Sequence, residues 1–248
     1  MARDEFQALL TYIRTDQFQP HRPRPGPLES PPPVVTIARE HGTGGEAIAA
    51  KLAKSLGVSC FDKEILDAVV ATATSDPALM RQLDEKLPGR TGMFLYASLM
   101  GLHDPLTEYQ RLLTRVVNGI AFRGGVIVGR GAHLLLRGAP RFRVRIVGSD
   151  EVCAARLAGG DPAKVADALH EVQRVNAARA KYFKEFFKVS NGDPLQYDLI
   201  VNTDRFTDLD AVVDVILHAH RVHGGQNHGG HAEAQPPSSI HQDSTSGP

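Results

Sequence analysis

Val34-Val35-Thr36-Ile37-Ala38-Arg39-Glu40-His41-Gly42-Thr43-Gly44-Gly45-Glu46-Ala47-Ile48-Ala49-Ala50-Lys51-Leu52 is the stretch that decides the fold. Its first five residues form a β-branched, apolar run of strand length. From Glu46 onward the spacing is helical, with Ile48, Leu52 and Leu56 repeating on one face. The turn between them holds Gly42, Gly44 and Gly45, which reach backbone angles closed to other residues. Strand, glycine turn and helix in this order point backbone N–H groups and the positive end of a helix at a phosphate. The turn departs from the GxxxxGK[ST] pattern, whose lysine serves the β/γ-phosphates and whose hydroxyl serves magnesium. Arg39 stands at the first glycine and Gly45 at the lysine, and no Ser or Thr follows.

Working outward, 248 residues with 42% hydrophobic content predict a single α/β domain with modest additions and a sizeable core. Lys+Arg and Asp+Glu both number 28, so the balance argues against nucleic-acid and membrane-surface binding, and any anion site must be local. Cys60 and Cys153 lie far apart without metal-ligand spacing and fit reduced thiols better than a disulfide. Met1 to Leu10 lacks a basic stretch followed by an apolar one, and no apolar run approaches the roughly 18 residues of a membrane span. A soluble, cytoplasmic protein is the expectation.

Before the deciding stretch, Phe6, Leu9, Leu10 and Ile13 mark a helical stripe over 4–14. Two readings stay open for it: docking on its own domain, or a contact with a partner or with a second copy in a homodimer. His21 to Pro27 and Pro31-Pro32-Pro33 read as a stiff polyproline linker, so 1–33 forms an N-terminal helix and linker. After the glycine turn the helix stops at Gly57, a C-cap. Val58 to Phe61 is a short strand, and Asp62 either caps the next helix or lies on the edge where α/β ligands bind.

The text from Ile65 to Arg123 is mainly helical, weaker around 87–92, with Met93 to Tyr96 read as core. Val126-Ile127-Val128 is a buried strand, followed at once by Gly129-Arg130-Gly131, where an arginine between glycines can reach a phosphate bidentately. Phe142 to Val147 is a further strand, and Ser149 or Asp150 caps the short helix carrying Arg156. Asp161-Pro162 opens a helix that either runs to Phe187 or breaks midway. Arg174 and Arg179 on it are candidates for phosphate contact, whereas Lys181, Lys184 and Lys188 read as a solvated face. Tyr197 to Thr203 is a fifth strand, and Thr207 caps the last helix. Beyond Arg221 the composition is Gly, His, Gln, Ser and Pro without period, so 222–248 reads as a disordered tail. The histidines at 218, 220, 223, 228 and 231 are open only to adventitious metal.

Together these pieces resemble the cytidylate kinase-like family of P-loop nucleoside monophosphate kinases. The resemblance rests on Thr36 to Gly45 as a modified P-loop, with Phe61-Asp62-Lys63-Glu64-Ile65-Leu66 and Val126-Ile127-Val128-Gly129-Arg130 in family order after it. Arg179-Ala180-Lys181-Tyr182-Phe183 and Tyr197 to Thr203 complete it, so that it spans 34–221. It implies a P-loop kinase-type three-layer sandwich with a five-stranded parallel sheet, a helical NMP-binding insertion and a helical lid. It also implies ATP with Mg2+ as phosphoryl donor. Carried over by position, Gly42, Thr43, Gly44 and Gly45 hold donor phosphates, Arg130 meets the acceptor's phosphate, Asp62 lies near the acceptor, and Arg179 reaches from the lid.

Three positions depart from the family: Glu46 replaces the usual arginine, and His133 and Asn176 each replace an aspartate. A carboxylate at Glu46 beside a triphosphate is repulsive unless it turns outward or meets magnesium. Two function classes follow. One is phosphoryl transfer from ATP to a nucleoside monophosphate such as CMP, with Arg39 replacing the missing lysine and Arg130 and Arg179 closing on the transferred group. Lys51 is the rival cation. The other class is a nucleotide-binding regulatory or scaffold protein without turnover.

Overall fold

The computed structural model describes residues 32–72, 105–136 and 141–226. The expected helix at 4–14, most of the proline-rich run, Met93 to Tyr96 and the histidines at 228 and 231 lie outside the described residues. Strand β1 (Val34–Arg39) is the middle of a five-stranded sheet. Around it lie β2 (Cys60–Phe61), β3 (Gly125–Val128), β4 (Phe142–Val147) and β5 (Leu199–Asn202) in the order β2-β3-β1-β4-β5. All four pairings are parallel, and the register sets Thr36 opposite Ile127 on one side and Arg143 on the other.

A parallel strand covered on both faces needs apolar side chains at successive positions rather than alternate ones, which is why β1 reads as a continuous run. Val35 and Ile37 face α1 (Gly45–Leu56) and α7 (Leu209–Gln226), packing with Ile48, Leu52, Val212 and Ile216. Val34 faces the opposite layer, where α2 (Lys63–Thr72) and α3 (Pro105–Arg123) bury Ile65, Leu112 and Val116. The short helix α4 (Ala132–Leu135) follows β3. Helices α5 (Asp150–Leu157) and α6 (Val165–Phe186) share a smaller core of Cys153, Ala154, Ala168 and Val172. Each fully buried Ile or Leu contributes about 1.5–3 kcal/mol relative to exposure, so α1 is held mainly by its apolar face.

Local punctuation follows the sequence with three differences. Gly57 ends α1 at φ 67, and the Val58 N–H returns to the Ala53 carbonyl at 3.0 Å as a Schellman closure. The Asp161 carboxylate accepts from the Ala163 N–H at 3.0 Å, Pro162 opens a single 3-10 turn, and α6 then continues unbroken for 22 residues. Helix α7, however, begins at Leu209, and Asp208 rather than Thr207 caps it, its Oδ1 accepting from the Asp210 N–H at 2.8 Å. That helix also runs to Gln226, past the composition change at Arg221. The His220 and His223 rings pack against Phe142 at 5.8 and 5.3 Å, giving this histidine-rich turn an apolar partner. Ser149 occupies the N-cap position of α5, yet its side chain makes no capping bond.

His133 is 4% exposed, between the rings of Phe183 at 5.5 Å and Tyr197 at 4.8 Å. Burial pushes its imidazole down to about 4, so it is neutral in the folded protein near pH 7. The unfolded chain, titrating near the ordinary 6.5, takes up a proton that the fold refuses. His133 therefore withdraws about 3 kcal/mol of stability as pH falls from roughly 6.5 to 4, and withdraws nothing above that window. Urea denaturation at pH 7 and pH 4 is expected to show His133→Gln losing about 3 kcal/mol less than the parent over this interval. An equal loss in both proteins would mean that another group carries the acid sensitivity.

Gly44 holds φ +77, and a Cβ on it would lie 2.8 Å from Leu209 Cδ1 on α7. Gly44→Val is accordingly expected to lower unfolding free energy by about 3 kcal/mol, combining left-handed strain with displaced packing. A denaturation midpoint unchanged from the parent would refute that account of Gly44.

Candidate functional site

Parallel strands deliver their C-terminal ends to one edge of the sheet, and ligands bind there where the strand order reverses. At that edge a cavity of about 550 Å³ is lined by Arg39, Asp62, Arg130, Arg145, Arg174 and Arg179, with Tyr182 and Phe183 alongside. Arg39 ends β1 and Asp62 follows β2. Arg130 follows β3 in a left-handed turn, with φ of 74, 55 and 67 at Gly129, Arg130 and Gly131. A non-glycine residue held in that region costs about 1 kcal/mol, a strain typical of residues aimed at a site. Arg174 and Arg179 come from α6. The four side chains expected from the sequence at 39, 62, 130 and 179 thus line one cavity.

The glycine turn lies beside it and is clamped from three elements. The Thr43 hydroxyl donates to the Glu40 carbonyl at 2.9 Å, so this fully buried side chain is spent inside the loop. Arg156 of α5 donates to the Gly42 carbonyl at 2.8 Å and to the Thr203 carbonyl at 3.1 Å. The Glu40 carboxylate accepts from Arg145 of β4 at 2.9 Å and from the Gly148 N–H at 3.1 Å. Asn176 of α6 accepts the His41 N–H at 2.9 Å. Gly44 is the N-cap of α1 and makes no side-chain capping bond.

The glycines themselves are demanded by packing. A Cβ at Gly42 would meet Cys153 at 2.8 Å, and one at Gly45 would meet the Arg39 Cβ at 2.7 Å. A lysine at position 45 would collide with the stem of Arg39, so the arginine and the missing lysine are one structural fact. Gly129 is restricted first by its left-handed backbone at φ +74, and a Cβ there would also lie 2.5 Å from an Arg39 guanidinium nitrogen.

Charge in the site is partly self-compensated. Arg39 Nε is 2.9 Å from Glu46 Oε1, and its Nη2 is 3.5 Å from Asp62 Oδ1. Arg179 donates to the Arg39 carbonyl at 3.0 Å and stands 3.9 Å from Glu46 Oε1. Glu46 thus faces the two arginines, with half of its side chain in solvent. Burial would raise its pKa, but the charge of Arg39, the hydrogen bonds it accepts and Arg179 hold it below the ordinary value. Burial, then the charge of Arg39, push the Arg179 guanidinium down to about 10, which leaves it cationic at neutral pH. Lys51 is absent from the cavity wall and pairs with Asp210 of α7 at 2.6 Å.

Two groups escaped the sequence reading. Arg145, 8% exposed in the middle of β4, pairs with Glu40 and lies 5.6 Å from the centre of the Tyr197 ring, joining the glycine turn to the cavity wall. Its trace in the sequence is an arginine between Val144 and Ile146 in an otherwise buried strand. Asn191, beyond α6, also lines the cavity and accepts from the Tyr197 hydroxyl at 2.9 Å, a contact no local pattern foretells.

Among the described residues no three His, Cys, Asp or Glu side chains are grouped closely enough to hold a metal ion, and both carboxylates nearest the cavity are engaged by Arg39. Cys60 and Cys153 are free thiols, each pushed up to about 11, first by burial. Among the described residues no helix is long and apolar enough to cross a membrane.

Residues 34–205 match the model of the Cytidylate kinase-like family. The solved structure of an uncharacterized protein from Eubacterium ventriosum is similar at TM-score 0.58 and 22% identity, over 77% of this chain and 99% of that one, which shows a shared fold. A gluconokinase from Sinorhizobium meliloti aligns at TM-score 0.45 and 16% identity, over 81% of this chain and 98% of its own. No curated protein matches. With the five-stranded parallel sheet, the glycine turn after β1 and a family match spanning most of its length, the chain belongs to the cytidylate kinase-like family and carries a P-loop nucleoside monophosphate kinase-like fold.

Proposed function

We propose that this protein transfers the γ-phosphoryl group of ATP to a nucleoside monophosphate, with CMP the first acceptor to test. The observation that supports the reading is the meeting of Arg39, Arg130 and Arg179 with Asp62 around one cavity, beside a helix N-terminus without a side-chain cap. Phosphoryl transfer asks a protein mainly for positioning and charge neutralisation, and needs no covalent intermediate. The turn from Gly42 to Gly45 would hold the donor phosphates by backbone N–H groups, with Arg39 in the role of the absent lysine. Arg130 would hold the acceptor's phosphate and Asp62 would orient the acceptor. An acceptor phosphate oxygen attacks the γ-phosphorus, the bond to the β–γ bridging oxygen breaks, and ADP leaves while Arg179 offsets the charge in transit. Magnesium would enter on the phosphates of ATP and supply charge neutralisation there.

A second reading has its own observation. Arg39 is already engaged by Glu46 and Asp62, so the charge that a donor phosphate would use is partly consumed. A protein that binds nucleotide as a regulatory or scaffold component, without turnover, is consistent with that.

A coupled ADP-release assay with MgATP against CMP, dCMP, UMP and AMP separates the two. Turnover is expected with one of these acceptors, reduced about 10³-fold by Arg39→Ala or Arg179→Ala and left within about twofold by Lys51→Ala, which removes only an exposed ion pair. ATP-induced thermal stabilisation without ADP release would favour the regulatory reading. Near-normal turnover in Arg39→Ala, or its loss in Lys51→Ala alone, would show that Arg39 does not replace the lysine.

A further inference from the structure

We propose that Glu46 is a built-in competitor for the phosphate site: its carboxylate occupies Arg39 and Arg179, and a phosphate must displace it to bind. The inference rests on the reading of this site as a phosphate site, and it concerns what sets the affinity. Glu46 lies in the first turn of α1, where a carboxylate also satisfies the positive end of the helix. Its Oε1 is 2.9 Å from Arg39 Nε and 3.9 Å from Arg179 Nη2, so one carboxylate oxygen faces both cations, with Asp62 as a second anion 3.5 Å from Arg39 Nη2.

The two sides of the contact are not equally free. The Arg39 side chain is 13% exposed, its stem seated against Gly45 and its head beside Gly129, where neither glycine tolerates a Cβ. The Glu46 side chain is 50% exposed, so rotation takes its carboxylate into water, where it is fully hydrated. The arginine stays and the glutamate leaves. Displacement to solvent is one fixed step, the same for any ligand that takes Arg39, so it lowers every phosphate affinity by one common factor. A carboxylate that stayed beside the ligand would act otherwise, repelling each added phosphate charge more strongly. The dependence on ligand charge therefore tells displacement from repulsion.

The test is calorimetric titration of the full chain with pyrophosphate, tripolyphosphate and ATP, without magnesium, for the parent, Glu46→Gln and Glu46→Ala. Melting curves establish that the variants are folded, and the exposed position of Glu46 makes both substitutions mild. Both variants are expected to bind all three anions about tenfold more tightly and by the same factor, as for one half-exposed charge-assisted hydrogen bond. A gain that grows from pyrophosphate to tripolyphosphate overturns displacement in favour of a carboxylate that stays in place. Unchanged or weaker binding in both variants overturns the competitor role and leaves the phosphate site standing. Absence of binding in parent and variants alike overturns the phosphate site and this inference together.

Discussion

The side chain of Arg39 is the constraint on which the site depends. It leaves β1 at the sheet's central strand, lies across the space above Gly45 and ends beside Gly129. The stem of Arg39 therefore leaves position 45 no room for a side chain, while the turn after β3 begins with glycine because its backbone is left-handed at φ +74. Its guanidinium then collects Glu46 from the first turn of α1 and Asp62 from the end of β2. Three strand ends and one helix start are tied by a planar cation whose several N–H groups can serve separate acceptors at once. A lysine ammonium is a compact charge on a flexible stem and would not span the same set.

A second layer of contacts holds the glycine turn from outside. Arg156, Arg145 and Asn176 reach it from α5, β4 and α6. Each uses a backbone group or carboxylate of the turn that the sheet and α1 leave unpaired, which answers where the hydrogen bonds of an irregular segment go. Because Asn176 and Arg179 sit on the same helix, α6 contacts both the turn and the cavity. Its far end is anchored on α3 by Tyr109, edge-on to Phe186 at 5.5 Å, and by Gln110, whose side-chain amide donates to the Phe186 carbonyl at 3.0 Å. Any movement of α6 would thus change the turn and the arginine cluster together.

The buried charge is arranged to be tolerable. Arg145 meets Glu40, and His133 stays neutral between two aromatic rings. Isolated charges at these depths would be strongly destabilising, and pairing or neutralisation removes most of that penalty. Among the described residues lining the cavity, Arg39, Arg130, Arg145, Arg174, Arg179 and Lys181 stand against Asp62, an excess of cations. That excess is local, as the zero formal charge of the whole chain requires.

Much of this was legible in the residues alone. A continuous apolar run at Val34 to Ala38, the Gly57 stop and the Asp161-Pro162 start report local backbone chemistry, and each appears where its residues predict. The convergence of positions 39, 62 and 130 was legible too, because parallel strands must send their C-terminal ends to one edge, whereas Arg179, on α6, was expected there from the family resemblance. The partner of Glu46, the role of Arg145 and the reach of α7 to Gln226 were not. Those depend on which side chains from distant segments meet: Arg39 with Glu46 around a missing Cβ, Arg145 with Glu40 across the sheet, and Phe142 with two histidines. Period, caps and turn chemistry are properties of neighbours in the chain, so the sequence determined the elements and the edge at which they present charge. Which cation is held by which anion is a property of neighbours in space, and only the tertiary structure decided it.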